Sequence, residues 1–269
     1  MNPRQDKMLE KLIELKDHFN VIGVKISYED EGLTSELAQM MASLVFKSGL
    51  ALSMKVGGCE AKRDIYDAKV LGCDKIVGPM IETPYALKKY IQATKTVFSP
   101  EEWHNTKFMV NIETVTGFNN LREMLELPEA NDLYGIVLGR VDFAGSMSKD
   151  RSWVNSQEMS EYAMNMATIL SEFGKKLYIG GGVNLASLDF FKKLPSETFI
   201  SFETRNIIFD AKGALSNRKI EEGLTKAMGF ELEWLKFKRD FYGRLSDLEV
   251  SRIKMIQERF EASCKKLGI

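Results

Sequence analysis

Two hydrophobic periodicities alternate along the chain. Short runs rich in Val, Ile and Phe read as strands at Val21–Tyr28, Ala51–Gly57, Lys75–Met80, Phe108–Glu113, Tyr134–Leu138, Leu177–Gly180 and Phe199–Thr204. Between them apolar residues recur at helical spacing: Leu37, Met40, Met41, Leu44 and Val45; Ile65, Ala68 and Val70; Tyr162, Met166, Ile169 and Leu170. Start and stop signals agree with this reading. Thr83-Pro84 couples an N-cap to a proline at the first helical position, and Ser99-Pro100-Glu101-Glu102 has capping-box spacing. Asn155 with Glu158 marks a further start, and Gly72 supplies a left-handed residue after a helix. Strands separated by helices predict a parallel sheet with right-handed crossovers. Seven strands suit a (β/α) barrel better than an open doubly wound sheet, and no Gly-x-Gly-x-x-Gly follows the first strand.

The two ends are helical. Met8, Leu12, Ile13, Leu15 and Phe19 stripe the segment before Val21. From Glu221 onward no strand pattern returns, and Ser246-Asp247-Leu248-Glu249 reads as a capping box opening a long helix. Leu248, Ile253, Ile256, Phe260, Cys264 and Leu267 form its apolar stripe, and the preceding Phe230–Leu245 is unusually aromatic. The expected organisation is a barrel with an N-terminal helix over 1–220, then helices over 221–269 that pack on the barrel or on a neighbouring subunit.

Composition narrows the class. Of 269 residues, 44% are hydrophobic and 28% charged, an ordinary globular balance that excludes disordered, collagen-like and disulfide-stapled chains. A net charge of −1 gives no basic excess for nucleic acid or an anionic membrane. No apolar run approaches the roughly 20 residues of a membrane span, and the charged stretch Met1–Lys16 lacks a signal-peptide core. Cys59, Cys73 and Cys264 form no Cys-x-x-Cys, which argues against zinc ribbons and disulfides and for a reducing, cytoplasmic setting. The only histidines, His18 and His104, lie away from strand ends, so neither a multi-His metal site nor a Ser-His-Asp machine is expected.

In a barrel of this kind the active site lies at the C-terminal strand ends. Those ends carry Lys25 through Glu31, Lys55 with Gly57-Gly58-Cys59-Glu60, Glu82-Thr83, Glu113, Arg140-Val141-Asp142, Gly180-Gly181-Gly182 and Glu203-Thr204-Arg205. Charges converging in a barrel mouth cost desolvation unless paired or ligand-bound. Glu113 and Asp142 each follow an apolar strand directly, so they either hold Mg²⁺ or pair with Arg140, Lys55 or helix N-termini. Lys55 has three readings: an anchor for an anionic substrate, a Schiff-base lysine, or the partner of Glu29 or Glu113. The glycine runs fit tight turns or close backbone approach to an anion. Glu60 and Arg63, one helical turn apart, either contact substrate or pair on the surface. Lys25, Lys55, Arg63, Arg140 and Arg205 together predict a cationic pocket for a substrate with more than one anionic group, such as a phosphorylated or dicarboxylic keto acid.

The ordered set Ser27-Tyr28-Glu29-Asp30, Pro79-Met80-Ile81-Glu82, Ile112-Glu113-Thr114 with Gly117, and Gly139-Arg140-Val141-Asp142 resembles the HpcH/HpaI aldolase and citrate lyase beta-subunit family over roughly Gly23 to Phe209. The resemblance implies a phosphoenolpyruvate/pyruvate-type (β/α)8 barrel of the TIM class. It implies that Glu113 and Asp142 bind Mg²⁺ or Mn²⁺, and that the Val141 and Asp142 N–H groups receive a pyruvate-like carboxylate. Glu29 and Asp30 match an acidic pair beside the metal, and Lys55 stands where the family has an arginine on the enolate oxygen. Glu82 and Arg140 join the expected substrate shell; Glu60 and Arg63, in a segment outside the family pattern, are further candidates for it. The implied activity is metal-dependent carbon–carbon cleavage through an enolate, on a keto acid or acyl thioester, by a homo-oligomer.

Three departures from the family pattern stand out. Lysine replaces arginine at position 55, no His-Asp base pair is found, and the family's first strand is missing, so the barrel is either modified there or completed by an unrecognised segment. Two alternatives therefore stand beside the lyase: related chemistry (thioester hydrolysis, condensation or phosphoenolpyruvate-dependent transfer), and a non-catalytic metabolite-binding barrel.

Overall fold

Seven of the eight strands of a closed barrel are those expected from the apolar runs. The structure, a computed structural model, describes residues 3–267. The order is α1 (Pro3–Phe19), β1 (Val21–Ser27), α2 (Ser35–Ser48), β2 (Ala51–Lys55), α3 (Lys62–Val70), β3 (Lys75–Gly78), α4 (Pro84–Val97), α5 (Pro100–Trp103) and β4 (Lys107–Ile112). Then come α6 (Val115–Asn119), α7 (Leu121–Leu125), β5 (Gly135–Gly139), α8 (Arg140–Ser146), α9 (Gln157–Glu172), β6 (Lys176–Gly180), α10 (Leu188–Phe191) and β7 (Phe199–Glu203). The chain ends with β8 (Ile207–Asp210), α11 (Ala211–Ser216) and α12 (Ile220–Leu267).

Strands β1 to β7 pair in parallel, in chain order. The eighth is the segment that completes the barrel, and it runs antiparallel to both neighbours. The expectation of a wholly parallel sheet fails here for a simple reason. Only Thr204-Arg205-Asn206 separates β7 from β8, and a parallel return needs a crossover of about a dozen residues or more. The register Phe202↔Phe209 and Val24↔Ile207 closes the barrel with apolar pairs.

Two apolar layers follow from the strand period of two. Val77, Met109, Val137 and Tyr178 fill the barrel interior, while the opposite faces pack against the surrounding helices. Helix α1 buries Met8, Leu12, Leu15 and Phe19, and the first half of α12 buries Leu224, Ala227, Phe230 and Trp234 beside it.

The cap signals hold at Thr83, which accepts from Ala86 N–H, and at Ser99, whose box with Glu102 is complete. Gly72 has φ +72. The start expected at Asn155 lies one residue later: Ser156 accepts from Met159 N–H. Ser246 opens no helix, because α12 runs unbroken from Ile220 through it. The far half of α12 leaves Leu248, Ile253, Ile256 and Phe260 exposed, and the Leu267 side chain lies outside the described residues. Among the described residues no helix is long and apolar enough to cross a membrane.

Candidate active site

A cavity of about 380 Å³ opens at the C-terminal ends of the parallel strands. Glu29, Asp30, Lys55, Glu113, Val141 and Asp142, six of the expected site residues, border it. Among them is Lys55, the last residue of β2, only 7% exposed. Its ammonium lies 2.9 Å from Glu29 Oε2 and 3.4 Å from Glu113 Oε2. Burial pulls the Lys55 pKa down, but the Glu113 and Glu29 carboxylates outweigh it and hold the group above its ordinary value. Lys55 therefore stands as a cation, which disfavours the Schiff-base reading.

Glu113 follows β4 directly and is fixed from three sides. Met80 N–H donates to its Oε1 at 2.9 Å, and Asn111 Nδ2 donates to Oε2 at 2.9 Å, with Lys55 beyond. Met80 reaches this carboxylate from φ +50, a left-handed conformation unusual for a side-chain-bearing residue. Gly139 faces Glu113 so closely that a Cβ there would lie 2.7 Å from Oε2.

Asp142, on the first turn of α8, is exposed to the cavity and has no protein hydrogen bond or ion pair among the described residues. Burial and the neighbouring Glu113 raise its pKa, with Lys55 opposing. Asp30 moves the other way: against the cost of burial, the Ser27 hydroxyl, Arg205 and Lys25 stabilise its charge.

The metal expectation can be tested on this donor set. Magnesium needs only one or two protein carboxylates, with water or substrate oxygens completing its shell. Asp142 is a carboxylate without a protein donor, held near a second one, and the buried Asn111 Oδ1 beside Glu113 also lacks a partner. Glu113 and Asp142 thus fit a hard divalent cation. Among the described residues no group of three or more His, Cys, Asp or Glu is arranged for one.

Four expected substrate contacts lie elsewhere. Arg140 is 0% exposed, and its guanidinium turns away from the cavity to Gly180 O, Val154 O, Asn155 Oδ1 and Ser187 Oγ. Glu60 pairs with Lys89 at 2.8 Å, and Arg63 is a surface residue paired with Asp67. Glu82 accepts from the Thr114 hydroxyl outside the cavity lining. Gly57 N–H is taken by Asp64, so that glycine pair is a turn, whereas Gly181, at φ +82, leaves no room for a Cβ over the Arg140 and Val141 N–H groups. His18 and His104 are exposed.

The cationic pocket does not materialise either. Lys25 pairs with Glu203, Lys55 with Glu29 and Glu113, and Arg205 with Glu31 at 3.4 Å and Asp30 at 3.8 Å. Six carboxyl groups border the cavity against four cations. The strand ends carried bases, but folding places an acid against nearly every one.

Several site residues were not singled out from sequence. Asn111 lies two positions before Glu113 on the same face of its strand, a signal the period of two could have given. Arg151, on a 3₁₀ turn after α8, and Met228 and Glu231, on α12, left no such trace. Glu231 accepts from the Thr204 hydroxyl and from Asn206 N–H at 2.7 Å, and Lys238 binds Glu31, so α12 grips both loops that carry Arg205 and Asp30.

Comparison with known proteins bears on the family and the fold. A sequence model of the HpcH/HpaI aldolase/citrate lyase family matches residues 38–172, just over half of the 269-residue chain. No curated protein matches the sequence. Among solved structures, an HpcH/HpaI aldolase from Desulfitobacterium hafniense DCB-2 is 10% identical, with TM-score 0.59 over 73% of this chain and 82% of that one. A family protein from Burkholderia cenocepacia J2315 is 12% identical, with TM-score 0.58 over 73% and 82%. Citrate synthase SbnG is 14% identical, with TM-score 0.56 over 74% and 82%. Identities this low speak for a shared fold; the family match over half the chain carries the assignment. The chain belongs to the HpcH/HpaI aldolase/citrate lyase family and is a carbon–carbon lyase of that aldolase type.

Proposed function

We propose that the protein is a divalent-metal-dependent lyase that cleaves a 2-keto acid or related anionic substrate through an enolate. The observation that carries this reading is the trio of Lys55, Glu113 and Asp142 in one cavity. Glu113 and Asp142 are the residues that would hold Mg²⁺ or Mn²⁺. The ion would supply Lewis acidity toward the carboxylate and carbonyl oxygens of the substrate.

The chain's own groups account for the rest. The Val141 and Asp142 N–H groups receive the substrate carboxylate. Lys55 sets a fixed positive charge against the oxygen where enolate charge develops, and costs no reorganisation as it does so. Glu29, 2.9 Å from Lys55, takes the hydroxyl proton that starts retro-aldol cleavage, while Asp30 remains ionised. Proton NMR of pyruvate in D₂O tests the reading. Methyl exchange is expected with Mg²⁺ and is expected to vanish in Glu113→Gln. Metal-independent exchange, or exchange that survives Glu113→Gln, would refute it.

We also propose that the far half of α12 serves assembly in a cytoplasmic homo-oligomer. The exposed Leu248, Ile253, Ile256 and Phe260 form an apolar stripe on α12. Asp247 at one end and Lys265 and Lys266 at the other favour antiparallel pairing with a second copy. Sedimentation of Ile256→Asp/Phe260→Asp should give a smaller species than the parent chain.

A further inference from the structure

We infer that Arg151 binds a second anionic group of the substrate, so that the site selects 2-oxo acids bearing a distal carboxylate or phosphate over pyruvate-sized monoanions. The inference rests on the enolate reading above and names its substrate class.

Four cations border the cavity, and three of them are committed to carboxylates of the protein. Arg151 is the exception. It has no hydrogen bond or ion pair among the described residues, although the cavity it borders is rich in acids. Arg151 is exposed at the rim, and an unpaired guanidinium there is available to an anion that arrives with the ligand. Its planar fork matches a carboxylate or phosphate, which a lysine point charge does not.

A second observation concerns how Arg151 is held. It opens the 3₁₀ turn Arg151–Asn155, and this turn is fastened from below by Arg140. The Arg140 guanidinium donates to Val154 O at 3.1 Å and Asn155 Oδ1 at 3.0 Å within the turn. It also reaches Gly180 O at 3.2 Å and Ser187 Oγ at 3.4 Å across the barrel rim. The rings of Phe190 and Phe191 lie 5.0 and 5.2 Å from it. Arg140 is 0% exposed, and none of its hydrogen-bond partners is a carboxylate. Burying a cation this way is expensive. Its structural effect is to lock the Arg151 turn against the Gly180–Gly182 loop at the cavity mouth. Asp150 caps the same turn through Ser152 N–H at 2.7 Å, and Trp153 Nε1 donates to Glu158 at 2.6 Å. Arg151 is the contact residue and Arg140 its positioning residue. This restores the expectation of a multiply charged substrate on a different residue from the five that first suggested it.

Titration calorimetry with pyruvate, oxaloacetate, 2-oxoglutarate and 3-phosphonooxypyruvate, each with Mg²⁺, tests the inference in the full-length protein. The parent chain should bind at least one of the multiply charged acids about tenfold or more tighter than pyruvate, the scale of one charge-assisted hydrogen bond. Arg151→Ala should reduce that preference to about twofold or less, and Arg151→Lys should retain part of it. The acid whose preference depends on Arg151 identifies the group as carboxylate or phosphate. Arg140→Lys should lower the same affinity ratio, a readout that a purely structural role would not move. A preference that survives Arg151→Ala, or no preference in the parent chain, overturns the inference and leaves the enolate reading intact. Binding of none of the four acids, together with no pyruvate exchange, overturns the enolate reading itself.

Discussion

If Lys55 and Glu113 form a functional buried pair, their energies should be strongly non-additive. Their charges are 3.4 Å apart, with Lys55 7% and Glu113 3% exposed. At an effective dielectric near 20, a separation of this size corresponds to about 5 kcal/mol of attraction, from which desolvation removes a large part. Removing one partner of a buried pair typically costs about 3–5 kcal/mol. Lys55→Met should fall at the low end, about 3 kcal/mol, because Met80 N–H and Asn111 continue to hold the stranded carboxylate. The Glu29 share is small, since that carboxylate is about a third exposed and solvent screens it. Glu113→Gln strands the ammonium instead and should cost about 2 kcal/mol, with Glu29 still beside it. The double variant strands neither charge. Its loss should fall short of the sum by about 2 kcal/mol. Urea unfolding followed by tryptophan fluorescence, with a chelator present to exclude metal, measures all four corners. A coupling below about 0.5 kcal/mol would refute the pairing and the placement of a fixed cation at the enolate oxygen.

Gly139→Ala should displace Glu113, because the new Cβ would lie 2.7 Å from Oε2 and 2.8 Å from the glutamate Cβ. A loss of about 1–3 kcal/mol is expected, and in pyruvate exchange the variant should resemble Glu113→Gln. Arg140→Met should destabilise by about 3 kcal/mol or more, since four acceptors lose their donor together; a melting temperature within a degree of the parent would contradict this. Glu231→Gln tests a pH effect. Burial raises the Glu231 pKa despite the Asn206 N–H, the Thr204 hydroxyl and Arg205, so the folded state favours the protonated acid. Stability from this group is then greatest at low pH and falls as pH rises from about 4.3, the unfolded value, through the raised folded value. The glutamine variant should lack that decline and melt higher than the parent at pH 7. Equal pH profiles for the two proteins would sink the assignment.

What the sequence made legible was local. Each parallel strand announced itself by a short apolar run, and Lys55, Glu113 and Asp142 stood out as charges within or just beyond such runs. Strand β8 did not, because Ile207-Ile208-Phe209 is too short to separate from β7 and the three residues between are a hairpin rather than a crossover. Arg140 misled for a related reason. Its place at a strand end is that of a substrate cation, but a helix starts at Arg140 itself and sends the side chain under the rim. Charge counting failed at the pocket because pairing is a long-range property. Lys25 meets Glu203 and Lys238 meets Glu31 across about 180 and 210 positions of chain.

The same long-range pairing makes the barrel's irregular closure part of its chemistry. In a regular barrel the last strand would end at the mouth, and a helix would lead away from it. Here β8 runs the other way, so the mouth receives the Thr204–Asn206 hairpin, and α12 borders the cavity through Met228 and Glu231. A hairpin at a barrel mouth exposes backbone donors that need partners. Glu231 supplies the acceptor for Asn206 N–H, and Asn206 Nδ2 in turn donates to Lys25 O and to Glu31. Glu31 is held by Lys238 and Arg205, and Arg205 also faces Asp30. One chain of polar contacts thus runs from α12 through the hairpin to the acidic pair beside Lys55. A helix whose far half exposes an apolar stripe is therefore tied, at its near half, to the carboxylates of the cavity.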